Sequence, residues 1–498
     1  MERKLYTQNN GTYNFAMAYP AIEEFALASL GYLWLYRIAD MQEGINAIRI
    51  STDNINLTNK VDAISFSMSF DFDFMGVFEI LEKLKIPFFA KDRDENFPII
   101  FAGGPVLTTN PKPYEKFFDF MMIGDGEKSF DQILDILKNN DKKTALELLK
   151  DVEGVYIPNN KVKKRTEVLE NVIYTPIISE KSYFKDTFIV EVARGCMNRC
   201  AFCTASYLNL PFRANEYKKI IDAIELGLKY TNKIALLGAQ ISAHPRFDDI
   251  MAYLKNKIDN GENIEIGISS LRTDSVTPQM VQTLVAGGQK HSTIAIEAAS
   301  DRLRKFINKN LSEEQILNAI KIARENGLKG LKIYSMLGIP NETQEDIEEF
   351  LILAKKIKNE NKGFNIEFSF SSFVPKPQTP FQWSKREDTK SLEKKQKFLE
   401  KELAKIGVQS KFSSIKWDYW QTILSRGNET LAEFLVKVYK NGGKIGAYKS
   451  AAKELKINLE DFANGLSLES PLPWDCIVIE PRKELLKNEL MRLTKKLN

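Results

Sequence analysis

The sequence is poor in histidine: only His244 and His291 occur among 498 residues. Any mechanism that needs a histidine in the N-terminal third is therefore excluded. Cysteine is also scarce, at 4 residues of which three are clustered, so we expect no disulfide framework and a reducing, cytoplasmic compartment. No stretch is long and apolar enough to span a bilayer, and the first residues lack the apolar core of a signal peptide. The 70 basic and 66 acidic residues nearly balance, so charge gives no sign of nucleic-acid binding.

Three of the four cysteines, Cys196, Cys200 and Cys203, lie in the segment GCMNRCAFC with the spacing C-x3-C-x2-C. Thiolate sulfur is the usual protein ligand of iron–sulfur clusters. Three thiolates would leave one iron of a 4Fe-4S cluster open to a small molecule. A structural zinc site is the alternative, but such sites usually draw four ligands from two separated pairs, and the sequence has no second pair. The spacing favours the cluster.

Strand-like and helical segments alternate in residues 1–155. The apolar runs at 63–70, 98–105 and 118–127 predict strands, and helical segments follow the first and third. This order predicts an α/β domain with a doubly wound, Rossmann-like parallel sheet. The loops after such strands usually bind ligands, and here they contain Gly103, Gly104, Gly124 and Gly126. Cofactor contact and the need for tight turns explain these glycines equally well.

A second series of strands and helices follows a predicted linker at 156–185. Six strand–helix units are predicted within 186–385, with strands at 188–193, 233–239, 264–270, 292–299, 331–337 and 365–374. The three cysteines come just after the first of these strands, where barrel enzymes place their chemistry. The strand signal fades near residue 385, and 386–498 predicts a mostly helical C-terminal region.

The cysteine motif and several other segments resemble the radical S-adenosylmethionine (SAM) enzymes. The segments are AYPAIEEFALASLGYLWLYRI, FAGGPVLTTNPKP, IGDGE, SSLRTDSVTP, TIAIEAASDRLRKFINK, FVPKPQTPFQW and SPLPWDCIVI. Together they resemble a family with an N-terminal cobalamin-binding-like domain. The resemblance covers nearly the whole chain and implies a partial (β/α)6 TIM-like barrel. It also implies a cluster that holds SAM at its open iron and cleaves it reductively to a 5′-deoxyadenosyl radical.

The resemblance implies further cofactor-binding residues at the strand ends. Phe202 would shield the cluster, and Gly338, Ile339 and Pro340 would form the adenine-binding turn. Gly238 and Gln240 stand where the family often has Gly-Gly-Glu, so the contact with the SAM amino group is made by backbone alone or is lost.

Charged residues at the strand ends each have two interpretations. Glu297 is expected either to contact SAM or to cap the next helix. Ser270 and Arg272 face a possible site, or Arg272 pairs structurally with Asp274. Arg194 either tunes the cluster or forms a surface ion pair. Helix-surface charge is the expectation for most of Arg302, Arg304 and Lys309, although one of them could reach the methionine carboxylate. Thr343 and Asp346 predict a capping box.

The chain departs from the family pattern at two positions. VPKPHTPFQW and LPWDHI in the family carry histidines where this chain has Gln378 and Cys476. Cys476 is a candidate catalytic residue, as a radical quencher, a covalent acceptor or a ligand of the open iron. As a buried thiol beside Pro473 and Trp474 it would be inert.

The function implied is hydrogen abstraction from an unactivated carbon. With cobalamin, which must bind here without a histidine axial ligand, C-methylation would follow; without it, rearrangement or bond formation would. Methylthiotransfer is disfavoured because its second cluster needs three further cysteines. A non-catalytic iron–sulfur factor associated with RNA or the ribosome is the alternative from another class. The expected partners are an unidentified substrate and an electron donor such as a flavodoxin or ferredoxin, with no membrane and no support for nucleic acid.

Overall fold

The computed structural model describes residues 2–57, 60–479 and 483–497. Its N-terminal part is a six-stranded sheet in the order β3-β2-β4-β5-β6-β7, in which β7 alone is antiparallel to its neighbour. The strands, with a separate short strand β1, are β1 Arg3–Lys4, β2 Gly11–Tyr19, β3 Gly44–Ser51, β4 Ala63–Ser67, β5 Ile99–Gly103, β6 Phe120–Met122 and β7 Val155–Tyr156.

Helices cover both faces of this sheet, so the predicted doubly wound domain is confirmed. They are α1 Glu23–Ala26, α2 Leu30–Met41, α3 Phe74–Lys83, α4 Pro105–Thr109, α5 Glu127–Asn139 and α6 Lys142–Leu148. On one face, Leu33 of α2 and Phe130 of α5 pack in a cluster with Phe15 and Phe101. Strands buried on both faces read as continuous apolar runs, and this is why β4, β5 and β6 were predictable.

The segment predicted as a linker forms short pairings with both ends of the chain. Strand β8 (Val162–Lys163) pairs with Ile477–Val478, and β9 (Ile177–Ile178) pairs with β1. These contacts tie the segment to the N-terminal and C-terminal parts of the molecule.

The second sheet system is parallel and forms the barrel. Three strands in the order β10-β13-β14 and four in the order β15-β16-β17-β18 are linked by a parallel bridge between Leu271 and Ile294. All six predicted strands are present. The strands, with the short antiparallel pair β11 and β12, are β10 Thr187–Glu191, β11 Ala193–Arg194, β12 Arg213–Ala214, β13 Lys233–Leu237, β14 Glu265–Ile268, β15 His291–Glu297, β16 Gly330–Leu337, β17 Asn365–Ser372 and β18 Gln409–Phe412.

The barrel helices alternate with these strands, as predicted. They are α7 Ala205–Leu208, α8 Tyr217–Leu228, α9 Phe247–Asp259, α10 Pro278–Ala286, α11 Asp301–Phe306, α12 Glu313–Glu325, α13 Gln344–Glu360 and α14 Thr389–Lys405. Strand β18 was not predicted and lies beyond residue 385, so the sheet continues into the region expected to be helical. Its sequence, QSKF, is largely polar because β18 is the edge strand of its sheet.

The C-terminal helices pack against the other face of the N-terminal sheet. They are α15 Ile415–Arg426, α16 Leu431–Lys440, α17 Ile445–Glu454 and α18 Glu460–Ala463. The short strand β19 Ile477–Val478 and the helix α19 Lys483–Thr494 follow, and Leu493 of α19 packs instead in a cluster with Leu303 and Phe306 of α11. Trp420 of α15 and Leu431 of α16 share one apolar cluster with Phe66 and Phe78. Among the described residues, no helix has the length and apolar character needed to cross a membrane.

Candidate functional site

The three clustered cysteines lie in the loop that follows the first barrel strands. Cys196 and Cys200 are 8% and 6% exposed, and Cys203 is partly exposed. Gly195 enters the loop with a φ of 88°, and a Cβ there would lie 2.3 Å from the carbonyl oxygen of Asn209. Only glycine fits this position. The loop backbone thus holds three thiols in one tight segment at the carboxyl edge of the barrel sheet.

The thiols are suited to an iron–sulfur cluster by their surroundings. Burial raises the pKa of the Cys200 thiol to about 12, and the positive charge of Lys309 acts against this rise. In the parts of the chain that the structure describes, no three side chains of His, Cys, Asp or Glu converge closely enough for a single metal ion. Thiolates of a four-iron cluster bind different irons and need not converge on one point. Three thiols beside a cation fit a 4Fe-4S cluster with one iron free of protein.

A buried ion pair lies beside Cys200. The Nζ of Lys309 is 3.0 Å from Oε1 of Glu297, and Lys309 is only 7% exposed, so its expected place on a helix surface is wrong. Glu297 has a φ of 67°, a left-handed conformation that is costly for a residue with a Cβ. The capping alternative for Glu297 is also wrong, because Ser300 caps α11 by accepting a hydrogen bond from the amide of Leu303.

Arg272 belongs to the same charged group. Its guanidinium donates to the carbonyl oxygen of Lys309 at 3.2 Å, and its Nε lies 2.7 Å from Oδ1 of Asp274. The structural pair with Asp274 is therefore present, and Arg272 also acts electrostatically on Cys200. Ser270 is exposed at the end of β14.

Gln240 lies against Cys196, the first of the three clustered cysteines. Its Oε1 is 3.4 Å from Sγ of Cys196 and accepts a hydrogen bond of 2.6 Å from the side-chain amide of Asn198. Gly238 is closely approached, since a Cβ there would lie 2.8 Å from the carbonyl oxygen of Ala193. The strand end that carries Gly238 and Gln240 is thus brought to the cysteine loop.

The turn at Gly338, Ile339 and Pro340 follows β16. Gly338 has a φ of 77°, and its amide donates to Oε2 of Glu342 at 2.8 Å. Ile339 is buried in an apolar cluster, against which Phe202 packs. The structure therefore joins the turn and the aromatic residue of the cysteine motif through one apolar cluster.

The two arginines of α11 are structural. Arg304 is 1% exposed and donates to the carbonyl oxygens of Leu311 and Ala298 at 2.7 and 3.1 Å. The expected helix-surface role is therefore wrong for Arg304. Arg302 pairs with Asp346, whose carboxylate also accepts a hydrogen bond from the Thr343 amide at 2.8 Å, and the predicted capping box of α13 is present.

A cavity of about 560 Å³ lies between the N-terminal sheet and the cysteine loop. It is lined by the ends of β2, β4, β5 and β6, and from the other side by Thr204 and Ala205, which directly follow Cys203. Strand β2 lies between β3 and β4, so the cavity is at the point where the strand order reverses and where open α/β sheets bind ligands. All four predicted glycines line it: Gly103, Gly104, Gly124 and Gly126.

Ion pairs beside the cavity connect the loop after β6 of the N-terminal sheet to the first strands of the barrel. Arg194 lies 3.0 Å from Asp125, 2.7 Å from Glu127 and 2.8 Å from Glu191. Arg213 lies 2.5 Å from the other oxygen of Asp125. Burial alone would raise the pKa of Asp125, but the two arginines lower it below its usual value. Arg194 therefore forms an ion pair, as one alternative predicted, but in a partly buried network and not on the open surface.

Cys476 lies in a different environment. It packs against the apolar cluster that contains Tyr156, and the Tyr156 hydroxyl donates to Oε2 of Glu115 at 2.5 Å. Burial raises the pKa of Cys476 to about 11. Gln378 is also buried, and its side-chain amide lies 3.4 Å from the carbonyl oxygen of Trp474. The two positions that depart from the family pattern thus meet the same turn, Pro473–Cys476.

Several residues of the site escaped the sequence reasoning. Asn198 lies between two of the clustered cysteines, and Ser67 lies within the strand predicted at 63–70, so the sequence placed both beside predicted features. Asp125 was inside the GDGE loop, but its two arginine partners come from distant segments. No local pattern predicts such a pairing.

Comparisons with known proteins agree with this geometry. The model of the N-terminal region of radical SAM proteins matches residues 34–158, and that of the radical SAM superfamily matches residues 190–354. An uncharacterized protein of Methanocaldococcus jannaschii is 32% identical over 85% of this chain and 90% of its own length. An uncharacterized methyltransferase of Pyrococcus horikoshii is 27% identical over 56% of this chain and 62% of its own.

Two solved structures share the fold. The cobalamin-dependent SAM radical enzyme OxsB with aqua-cobalamin bound has a TM-score of 0.58 at 14% identity, over 97% of this chain and 80% of its own. The radical SAM methyltransferase TsrM of Kitasatospora setae, with cobalamin and a 4Fe-4S cluster bound, has a TM-score of 0.52 at 11% identity, over 72% of this chain and 75% of its own. The cysteine loop, the two matched family models and the M. jannaschii relative together show that this chain belongs to the radical SAM superfamily.

Proposed function

We propose that this chain cleaves SAM reductively to a 5′-deoxyadenosyl radical, which abstracts hydrogen from an unactivated carbon, and that it is a cobalamin-linked C-methyltransferase of the reducing cytoplasm. A bound cluster would supply the electron, and bound cobalamin would supply a methyl carrier. The observation that carries the proposal is the cavity between the sheet ends and the cysteine loop.

The chain's residues suit these groups. Cys196, Cys200 and Cys203 would hold the cluster, with Lys309 balancing its negative charge. Gly104 has a φ of 122° and a Cβ there would lie 2.2 Å from the carbonyl oxygen of Met68, so the backbone forms this wall of the cavity. Among the described residues that line the cavity none is histidine, so a corrin ring would bind here without that axial ligand.

The names of other relatives raise methylthiotransfer as a second possibility. The ribosomal protein uS12 methylthiotransferase RimO of Clostridioides difficile is 26% identical over 48% of this chain and 52% of its own. Only Cys476 remains here beyond the triplet, so the chain cannot supply a second three-cysteine cluster. C-methylation needs no such cluster, and the cavity favours it.

Anaerobic reconstitution tests the proposal. We expect the loaded protein to form 5′-deoxyadenosine from SAM with dithionite, and to retain the corrin absorbance of added hydroxocobalamin after desalting. Ser67 lines the cavity, so Ser67→Phe should lower bound cobalamin per cluster, while Ser67→Ala, which adds no bulk, should not.

Two results would redirect the proposal. Deoxyadenosine formation by a protein that retains no corrin would indicate cobalamin-free rearrangement or bond formation. No deoxyadenosine from a fully loaded cluster would contradict the enzyme and favour a non-catalytic factor associated with RNA or the ribosome.

A further inference from the structure

A second cavity, of about 360 Å³, shares a loop with the cavity assigned above to cobalamin. The loop after β4 contributes to both, since Ser69 lines the larger cavity and the next residue, Phe70, lines the smaller one. Asp73 holds this loop by accepting hydrogen bonds from the amides of Ser69 and Phe70 at 2.6 and 2.8 Å. We call the smaller cavity the aromatic pocket. Its walls include Phe70, Phe72, Trp417, Asp418, Gln421 and Tyr448.

The aromatic rings of the pocket are set at steep angles to one another. The Trp417 ring lies 5.2 Å from that of Phe72 at 87°, and 5.6 Å from that of Tyr448 at 88°. The Phe70 ring lies 5.3 Å from that of Phe72 and is 49% exposed. An edge-to-face arrangement leaves ring faces uncovered by their neighbours, and the face of an aromatic ring attracts cations.

Two oxygen atoms of the pocket accept no hydrogen bond from any described residue. Asp418 accepts through Oδ2 from the Ser413 hydroxyl and, at 3.2 Å, from the Ser372 amide, which leaves Oδ1 free. Gln421 donates through its side-chain nitrogen to Asp71 at 2.9 Å, which leaves Oε1 free. Both oxygens are acceptors, so a ligand that satisfies them must bring a donor or a positive charge.

The charge of the pocket is negative. Asp418 is the one charged side chain among the described residues that line it. Arg386 is influenced by this charge, but it is buried, lies over the Tyr419 ring and forms no ion pair with Asp418 in the described part of the chain. Asp71 and Lys376 pair with each other at 2.8 Å and offset one another. Two exposed lysines are neighbours of lining residues in the chain but do not line the pocket: Lys416 and Lys444.

On the basis of the proposed function, we propose that the aromatic pocket binds the cationic end, an alkylammonium or quaternary ammonium group, of a small-molecule substrate. The ring faces and the Asp418 carboxylate attract the positive charge, and Gln421 accepts a hydrogen bond where the ligand has an N–H. A volume of about 360 Å³ is within the range of small-molecule sites. Packing of the apolar core accounts for Phe72 and Tyr448, but it does not call for an unpaired carboxylate oxygen beside them.

Two probes of equal shape test the pocket. Choline carries a trimethylammonium group, and dimethylbutanol is its neutral analogue with a tert-butyl group in that place. Binding of each probe to the full-length, cluster-loaded protein is measured without SAM, by NMR titration of the methyl signal of the probe. Asp418→Asn removes the charge and keeps an oxygen acceptor. The matched control is Asp222→Asn, which removes one negative charge from the exposed side of α8.

We expect wild type to bind choline more tightly than dimethylbutanol. Asp418→Asn should weaken choline binding roughly fivefold and leave dimethylbutanol binding unchanged, because only choline carries a charge. Phe70→Ala, which truncates a half-exposed side chain, should weaken choline binding roughly two- to fivefold. Asp222→Asn should bind both probes as wild type does.

Equal affinities of wild type for the two probes would overturn the proposal, as would equal choline binding by Asp418→Asn and wild type. A short peptide with a central trimethyl-lysine should bind no more tightly than choline, and tighter binding would assign the pocket to a protein side chain instead of a small molecule. Because the titrations are made without SAM, a failure of deoxyadenosine formation would refute the proposed function and leave the binding result valid.

Discussion

Cys200 and Cys476 are both thiols with raised pKa values, yet their neighbours differ. Cys200 lies beside Lys309 and Glu297, whereas Cys476 lies beside Tyr156 and the Lys112–Glu115 pair. We expect Cys200→Ala to abolish iron–sulfur absorbance and deoxyadenosine formation, because two thiolates cannot replace three. Cys476→Ala should retain both. Iron content and product are measured on the same sample, and loss of iron from Cys476→Ala would instead assign that thiol to the cluster.

The Lys309–Glu297 pair offers a test of stability at single residues. Removing one partner of a buried pair leaves an uncompensated charge, so Lys309→Met should lower the free energy of unfolding by about 3 kcal/mol. The double variant Glu297→Gln with Lys309→Met should recover part of this loss. Urea unfolding of the cluster-free protein, followed by circular dichroism, measures both, and an equal loss in the single and double variants would contradict the coupling.

Residue identity was more predictable than residue environment. The spacing of Cys196, Cys200 and Cys203 predicts cluster ligands without any knowledge of the fold, because the spacing is a property of one short loop. The burial of Lys309 was not predictable, since its neighbours in the segment NKN are polar and its partner Glu297 belongs to another element. Local sequence pattern is enough to predict the cysteine motif, whereas the burial of Lys309 depends on tertiary packing.

At the scale of elements, the turn after β16 depends on the ionisation of one side chain. Glu342 accepts from the Gly338 amide and lies 2.7 Å from Lys395, but burial outweighs these contacts and raises its pKa to about 7. The folded pKa exceeds the unfolded one, so folding binds a proton. The stabilising contribution is complete below pH 4.5 and is lost as the pH rises through about 7.

We therefore expect the melting temperature of wild type to fall from pH 5 to pH 8 more steeply than that of Glu342→Gln, whose amide does not titrate. Thermal melts at a series of pH values at constant ionic strength give the comparison. Parallel curves for the two proteins would show that Glu342 titrates alike in the folded and unfolded chain.

Elements were predicted where burial makes the sequence uniform. Strands β4 and β5 are buried on both faces and read as apolar runs. Strands β3 and β18 are edges of their sheets and carry polar residues such as Arg49 and Lys411, so their sequences resemble loops. Strand β2 is central in its sheet, but it begins with the polar residues GTYN and only its second half is buried. Its sequence therefore does not read as one apolar run, and the strand was not predicted.

At the scale of the whole molecule, the order of segments along the chain differs from their order in space. The sequence predicts an N-terminal domain, a barrel and a helical region in succession. In the structure, helices α15 to α17 share an apolar cluster with α3 and β4 from the opposite end of the chain. Contacts between segments so distant leave no periodic trace in either one, so the sequence could not predict them.

This shared cluster predicts that the N-terminal sheet and the C-terminal helices unfold together. Trp420 is 2% exposed and its ring lies 5.0 Å from that of Tyr448, within the cluster that contains Phe66. Trp420→Ala should therefore lower the free energy of unfolding by about 3 to 5 kcal/mol.

Hydrogen exchange in Trp420→Ala should quicken together in Ala63–Ser67 and Leu431–Lys440, and remain slow in Gly330–Leu337. Phe350→Ala, a similar truncation in the barrel core, is the control and should quicken exchange in Gly330–Leu337 instead. If Trp420→Ala loosens Leu431–Lys440 alone, the two regions are separate folding units despite their common core.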